Sequence, residues 1–261
     1  MKTHDEIRTE VNKHYSAIAR GAQSGCCGGG TCGSGQLGYS ADELAAVPAG
    51  ADLGLGCGNP QAIAALRLGE TVIDLGAGGG FDAFLAGRAV GAAGKVIGVD
   101  ASTDMVQLAR GNAQKHGTTN VEFRLGEIEH LPVADASVDL VISNCVVNLS
   151  PDKARVFREA FRTLRPGGRM VVSDLVLVRP LSPGLQRNVD LYVGCVAGAA
   201  MKPAYLDFMR EAGFEDVAVV SETGYAVGVE RLPEGGIERE AFEAVRSVKV
   251  RARKPAPSPA R

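Results

Sequence analysis

Three of the six cysteines sit where a thiol could do chemistry. Cys57 lies in Gly56-Cys57-Gly58, Cys145 in Ser143-Asn144-Cys145-Val146, and Cys195 in Gly194-Cys195-Val196. Each neighbours glycine or asparagine rather than standing deep in an apolar run, which is where an inert, packing cysteine belongs. They are too widely separated along the chain for a local zinc knuckle, whose ligands come in close pairs. A fold that gathered the three loops would instead make a trithiolate site, and such a site selects a soft, thiophilic centre. Cys26, Cys27 and Cys32 fall in the glycine-rich stretch Gly21 to Gly35 and form a second group of thiols.

A further set of residues points to a bound cofactor. Val72-Ile73-Asp74-Leu75-Gly76-Ala77-Gly78-Gly79-Gly80-Phe81-Asp82 reads as a buried strand running into a glycine turn that opens a helix. Doubly wound sheets bind ligands at the carboxyl ends of such strands, and glycine lets backbone approach a ligand with no Cβ in the way. Asp100 ends the next expected strand, where its carboxylate can accept both hydroxyls of an adenosine ribose. Gly78, Gly80 and Ala83 also fit a dinucleotide fingerprint loosely. Asp74 weighs against that reading, because a negative charge beside the turn disfavours a pyrophosphate and suits a cationic amino group. S-adenosylmethionine carries an ammonium and a sulfonium, so the acid favours it over NAD.

These residues need elements to hold them. Ile7, Val11, Tyr15 and Ile18 recur at helical spacing and predict a helix over residues 4–19. Strands are expected at Thr71–Leu75, Val96–Asp100, Val121–Arg124, Val138–Ser143 and Arg169–Ser173. Helices are expected at Phe81–Ala89, from a Ser102 cap to about Lys115, and at Asp152–Leu164, the last ending before Arg165-Pro166-Gly167-Gly168. Beyond residue 180 the pattern weakens: 185–200 and 203–212 read as helical, 217–220 and 225–229 as strands, and 241–250 as either. Strands alternating with helices predict an α/β fold with a doubly wound, mostly parallel, Rossmann-like sheet. The expected organisation is an N-terminal helix and mobile Cys/Gly-rich loop (1–60), a cofactor-binding core (61–180), a smaller C-terminal α+β appendage on the substrate side (181–253) and a disordered tail (254–261).

Composition excludes other classes. Hydrophobic residues at 45% and charged residues at 22% are ordinary for a globular chain of 261 residues. Lysine and arginine total 28 against 30 acids, so no long-range field would hold a polyanion, and aromatics at 5% offer few stacking platforms. Nucleic acid is not an expected partner. No run approaches the roughly 18 apolar residues that span a bilayer, and Met1-Lys2-Thr3-His4-Asp5-Glu6 does not read as a secretory signal. The cysteines are therefore expected as reduced thiols of a cytoplasmic protein, without a membrane partner.

The motifs resemble two nested families. Asp74-Leu75-Gly76-Ala77-Gly78-Gly79-Gly80 is similar to the first motif of class I S-adenosylmethionine-dependent methyltransferases, and Asp100 matches their acidic second motif. Gly126-Glu127-Ile128-Glu129-His130-Leu131-Pro132 resembles the segment that packs on adenine in that class, and Leu164-Arg165-Pro166-Gly167-Gly168 the turn before its fifth strand. The resemblance implies a donor site made of Asp74, Gly76, Gly78, Asp100, Ala101, Met105, Gly126, Glu127, Ile128 and Asn144.

The cysteine motifs, together with Asn148-Leu149 and Val196-Ala197-Gly198-Ala199, resemble those of arsenite methyltransferases over residues 5 to 230. The resemblance implies that Cys57, Cys145 and Cys195 bind trivalent arsenic as substrate, not as a structural metal. An N-terminal cysteine, with Cys32 and Cys27 as candidates beside Cys26, would assist turnover by thiol–disulfide exchange. It further implies arsenite or its thiol complexes as substrate and glutathione or thioredoxin as external reductant; a monomer is expected because no heptad or exposed apolar stripe asks for a partner. Two rival readings stay open: methylation of a small organic acceptor such as a quinone, with cysteines that merely pack, and a non-catalytic arsenic-sequestering protein.

Overall fold

The computed structural model of the chain describes residues 3–22, 34–225 and 237–256. A capping box starts α1 (His4–Ala19): Thr3 Oγ1 accepts the Glu6 amide while the Glu6 carboxylate accepts the Thr3 amide. A 3-10 turn (Ser34–Leu37) and two short helices, α2 (Ala41–Ala45) and α3 (Gln61–Ala64), lead into the alternating core. The core runs β1 (Thr71–Leu75), α4 (Phe81–Val90), β2 (Lys95–Asp100), α5 (Thr103–His116), β3 (Val121–Leu125), β4 (Val138–Asn144), α6 (Lys153–Thr163) and β5 (Leu164–Leu177). After it come α7 (Pro183–Gln186), α8 (Val189–Val193), α9 (Lys202–Glu211), β6 (Glu215–Gly224), α10 (Ile237–Glu243) and β7 (Val245–Arg253).

The strands form one seven-stranded sheet in the order β3-β2-β1-β4-β5-β7-β6. Neighbours from β3 through β5 pair in parallel, and β7 runs antiparallel to both β5 and β6. Central strands read as continuous apolar runs because both faces are covered: Ile73, Leu75, Val141 and Val172 enter one buried cluster, and Val72, Leu140, Ile142 and Val171 another. Local chemistry sets the ends of the helices. Ser102 Oγ accepts the Met105 amide to open α5, and Gly117 (φ +66°) closes it after Lys115 and His116, whose position suits the negative end of the helix dipole.

The doubly wound α/β expectation holds, and several boundaries move. The strand expected at Arg169–Ser173 continues to Leu177, because β7 pairs along it from Arg169↔Arg253 to Leu177↔Val245. Arg165-Pro166-Gly167-Gly168 lies within β5, at a register irregularity against β4. The helix expected over 185–200 is divided into α7 and α8, since Asn188 accepts the Leu191 amide as a new N-cap. Residues 241–250 split into the end of α10 and most of β7. The 181–253 segment thus contributes α7 and α8 near the site and two strands to the same sheet. The tail expected from 254 begins anchored: Lys254 Nζ donates to the Phe161 and Leu164 carbonyls at 2.8 Å and sits over the Phe161 ring. The Gly-rich loop bearing Cys26, Cys27 and Cys32, most of the expected strand at 225–229, and 257–261 lie outside the described residues.

Leu140 lies fully buried in the middle of β4. Truncation to alanine there removes apolar contact and leaves a cavity, and is expected to destabilise the fold by about 2–5 kcal/mol. Urea titration reads this as a lower midpoint at an unchanged slope.

Candidate functional site

A cavity of about 410 Å³ opens at the carboxyl ends of β1, β2 and β4. Its floor is the turn after β1, where Gly76 (φ +65°) and Gly78 (φ +52°) adopt the left-handed conformation that glycine takes without strain. A Cβ on Gly76 would lie 2.7 Å from Cβ of Val146, so this turn is pressed directly against the residue after Cys145. Asp100 accepts the Gly78 amide at 2.9 Å through Oδ2 and the Ser102 amide at 2.8 Å through Oδ1. Each oxygen keeps a second lone pair for a hydroxyl donor. Gly126, Glu127 and Ile128 form the adjoining wall, and a Cβ on Gly126 would meet Pro132 Cδ at 2.8 Å.

The electrostatics of this cavity are one-sided. Burial, then the neighbouring Asp82 and Asp100, push the Asp74 carboxyl well above its ordinary range, and Asp74 Oδ2 has no hydrogen-bond partner among the described residues. Burial also raises Asp82 and Asp100. The Tyr39 phenol is pushed up by burial and by Asp82, so it stays protonated and donates to Asp82 Oδ1 at 2.7 Å. Three desolvated carboxyls around a glycine turn fit a ligand carrying positive charge and vicinal hydroxyls, and they repel a pyrophosphate. The residues present therefore fit S-adenosylmethionine.

Helix α1 closes the cavity from the outside. Asn12 donates to the Ala101 carbonyl at 3.0 Å, Ser16 and Ser102 share a hydroxyl–hydroxyl bond at 2.9 Å, and Arg8 pairs with Glu127 at 3.6 Å and Glu129 at 3.3 Å. Tyr15 lines the cavity and donates to the Val193 carbonyl at 3.0 Å, tying α1 to the turn before Cys195.

Beside this cavity the three separated cysteines converge in one buried cluster. Cys57 and Cys145 are joined by a disulfide with Cα atoms 5.3 Å apart. The expectation that all the cysteines are reduced thiols is corrected for this pair, since the fold sets two distant loops within bonding range. Cys195 is buried, and its thiol donates to the Cys145 carbonyl at 3.0 Å. With the disulfide closed, no three His, Cys, Asp or Glu side chains among the described residues are grouped to hold a metal ion. Reduction of that bond frees two sulfurs next to the segment that bears the third.

Backbone geometry presents these thiols. Cys145 (φ +57°) and Cys195 (φ +64°) both adopt the left-handed conformation, an unusual state for a residue with a Cβ. The Cys145 amide donates to the Ser173 carbonyl and the Cys195 amide to the Tyr192 carbonyl, which fixes both turns. The glycines around Cys57 are steric necessities: a Cβ on Gly56 would lie 2.9 Å from Asn144 Nδ2, and one on Gly58 would collide with Ser173 Oγ. Beneath them, Asp174 accepts from Asn148 Nδ2 at 2.8 Å, the Leu175 amide at 2.9 Å and Tyr205 OH at 3.0 Å. Burial nevertheless pushes its carboxyl up to about 6.

Of the donor-site residues expected from sequence, Asp74, Gly76, Gly78, Asp100, Ala101, Gly126, Glu127, Ile128 and Asn144 line the cavity. Met105 does not; it is wholly buried, with its amide on the Ser102 cap. Cys145 reaches the cavity wall, whereas Cys57 and Cys195 lie behind it. Tyr39, Asp82 and Arg8 were missed. Asp82 carried a signal, as a second acid just past the glycine turn; Tyr39 and Arg8 carried none that spacing could reveal.

A parallel sheet of this order, with one antiparallel strand and an acid-lined glycine turn at its carboxyl edge, defines a nucleoside-binding transferase fold. A methyltransferase-domain family model matches residues 66–213. An arsenite methyltransferase of Halobacterium salinarum is 48% identical, in an alignment covering 97% of this chain and 68% of that protein. One of Aquipseudomonas alcaligenes is 39% identical over 69% of this chain and 53% of its own length, so the chain spans about half of that relative. The crystal structure of CrArsM, an arsenic(III) S-adenosylmethionine methyltransferase from Chlamydomonas reinhardtii, superimposes with a TM-score of 0.65 at 34% identity, covering 85% of this chain and 72% of that one. The chain belongs to the arsenite methyltransferase family, and S-adenosylmethionine is its methyl donor.

Replacing Asp100 by alanine removes a hydroxyl acceptor that also holds the Gly78 and Ser102 amides, and donor affinity is expected to fall about tenfold or more; calorimetry with S-adenosylhomocysteine measures it, and an unchanged affinity places the ribose elsewhere. Asp174 makes a separate prediction. Its folded carboxyl keeps its proton to about pH 6, whereas the unfolded one releases it near 3.8. Between these values the native state binds more protons, so this group makes stability fall as pH rises from about 4 to 6 and adds no slope above. Relative to Asp174→Asn, the wild type should lose on the order of 3 kcal/mol across that window, read from urea midpoints at each pH.

Proposed function

We propose that the chain transfers methyl groups from S-adenosylmethionine to trivalent arsenic held by Cys57, Cys145 and Cys195. The observation that carries this reading is the convergence of three cysteines from separate loops beside an acid-lined cavity, with Cys145 common to both. Family membership supports the same substrate class. Trivalent arsenic is pyramidal and three-coordinate, so three protein sulfurs would leave its lone pair directed away from them.

When bound, S-adenosylmethionine supplies an electrophilic methyl on a sulfonium. Asp100 accepts hydroxyls at one end of the cavity, and Asp74 with Asp82 accepts an ammonium at the other. The Gly76 turn, pressed on Val146, brings that end beside Cys145. Alignment accounts for much of the acceleration, because methyl transfer to a lone pair moves no proton. No general base is required.

Arsenic rises to the pentavalent state on methylation. A thiolate attacking one of its sulfur ligands forms an S–S bond; the As–S bond breaks, and its electron pair returns arsenic to the trivalent state. The Cys57–Cys145 pair stands where such a disulfide forms, and Cys32, Cys27 and Cys26 are a second source of thiols. An external reductant, glutathione or thioredoxin, reopens the disulfide by exchange. The chain is read as a cytoplasmic monomer, where reductants of this kind are available. Among the described residues no helix is long and apolar enough to cross a membrane.

Arsenite, S-adenosylmethionine and glutathione incubated with the chain are expected to yield methylated arsenic by mass-resolved speciation. Cys145→Ser and Cys195→Ser should each lower that yield by about 100-fold or more. A methyltransferase of small organic acceptors would keep its activity in both variants, and a sequestering protein would bind arsenite without producing a methylated species.

A further inference from the structure

Asn144 ends β4 between the two halves of the site, and more acceptors face its carboxamide than it has hydrogens to offer. Its Oδ1 accepts the Cys57 amide at 3.0 Å, which fixes the orientation of the group, since only the oxygen can accept from that N–H. Nδ2 carries two hydrogens and faces three acceptors: the Gly58 carbonyl at 2.8 Å, the Tyr39 hydroxyl at 3.0 Å and Asp82 Oδ2 at 3.0 Å. The single Tyr39 hydrogen is directed to Asp82 Oδ1 at 2.7 Å, so towards Asn144 that hydroxyl can only accept. The three acceptors belong to different parts of the site. Gly58 belongs to the loop that carries Cys57, while Tyr39 and Asp82 line the donor cavity with Asp74. The close approach of Asn144 to this loop is what leaves Gly56 no room for a side chain.

We propose that Asn144 is a positioning residue that couples occupation of the donor cavity to the placement of Cys57. The inference rests on the reading of that cavity as the site of S-adenosylmethionine, and deepens it. An ammonium group that engages the Asp82 carboxylate takes away one of the three competitors for two N–H bonds. One N–H then serves Tyr39 and the other serves the Gly58 carbonyl in full. The oxygen of the same carboxamide keeps the Cys57 amide. Cys57 is thus held from both sides by one side chain, and more firmly when a cationic donor is present. Because coupling between two ligands is reciprocal, an arsenical held by Cys57 raises donor affinity by the same factor.

Alkylation of Cys57 in the reduced chain tests this without turnover. Iodoacetamide modification is followed by peptide mass spectrometry, alone and with saturating S-adenosylhomocysteine, which carries the ammonium but no transferable methyl. 5′-Methylthioadenosine, which lacks the amino-acid portion, is the control. S-adenosylhomocysteine should slow Cys57 alkylation by about fivefold or more, and methylthioadenosine by less than about half as much. In Asn144→Ala the protection should vanish even at an S-adenosylhomocysteine concentration that calorimetry shows to saturate that variant. Asp82→Asn, which keeps the shape of the wall and loses its charge, should also abolish the protection at an S-adenosylhomocysteine concentration that calorimetry shows to saturate that variant. Full protection retained in Asn144→Ala or Asp82→Asn, or equal protection by methylthioadenosine, overturns the coupling. If S-adenosylhomocysteine does not bind the wild type at all, the reading of the cavity itself fails and the coupling falls with it.

Discussion

Uncompensated negative charge at the carboxyl edge of a parallel sheet is the constraint that organises this molecule. Asp74 stands buried near the end of β1, between β2 and β4, and no lysine or arginine among the described residues pairs with it. Desolvation of an unpaired carboxylate is costly, so the group either takes up a proton or finds a cation. Asp82 and Asp100 add to the same field. An arginine there would relieve the strain and abolish the site. The mismatch is what gives the cavity a preference for a cationic nucleoside over one bearing phosphates, and it explains why a glycine turn similar to that of dinucleotide enzymes does not serve the same ligand.

The thiol side is built on the opposite logic, in which sterics rather than charge set the geometry. Left-handed backbone at a residue with a Cβ costs roughly 1–2 kcal/mol, and Cys145 and Cys195 both carry that cost. It is tolerated because each turn is fixed by a main-chain hydrogen bond and packed against a neighbour from another loop. Gly198 packs so closely on the Asn148 carbonyl that a Cβ would collide with it. Proximity also joins Cys57 and Cys145 in a disulfide, with Cys195 donating to the Cys145 carbonyl beside it.

Local pattern made much of this readable in advance. The run from Val72 to Asp82 combines a buried strand, a turn with obligatory glycines and a helix start, all of which are properties of neighbouring residues. Asp100 was legible for the same reason, because the end of a strand is where its side chain meets the turn. Tyr39 was not, because it lies in a stretch of short elements without periodicity and acquires its role only through Asp82 and Asn144. The disulfide was invisible because separation along the chain says nothing about distance in space. Met105 was misplaced for a simpler reason. It follows a lining segment in sequence, but the helical turn after the Ser102 cap carries it into the core.

The walls of the cavity differ in what holds them. Its floor is continuous with the sheet, so it shares the stability of strands that are buried on both faces. The outer wall is α1, in which only Ser16 and Ile18 are buried. Its attachments are hydrogen bonds and ion pairs to Ala101, Ser102, Glu127, Glu129 and Val193, together with the buried Ile18 side chain and with Val11 and Tyr15 packed on the cysteine cluster. The exposed pair Arg8–Glu127 contributes about 1 kcal/mol or less, whereas burying one large aliphatic side chain contributes about 1.5–3 kcal/mol. Opening free energies within a fold follow such differences in burial. The pocket therefore combines a charged floor continuous with the sheet and an outer wall that buries fewer side chains, and the wall touches both the loop after β2 and the turn that leads to Cys195.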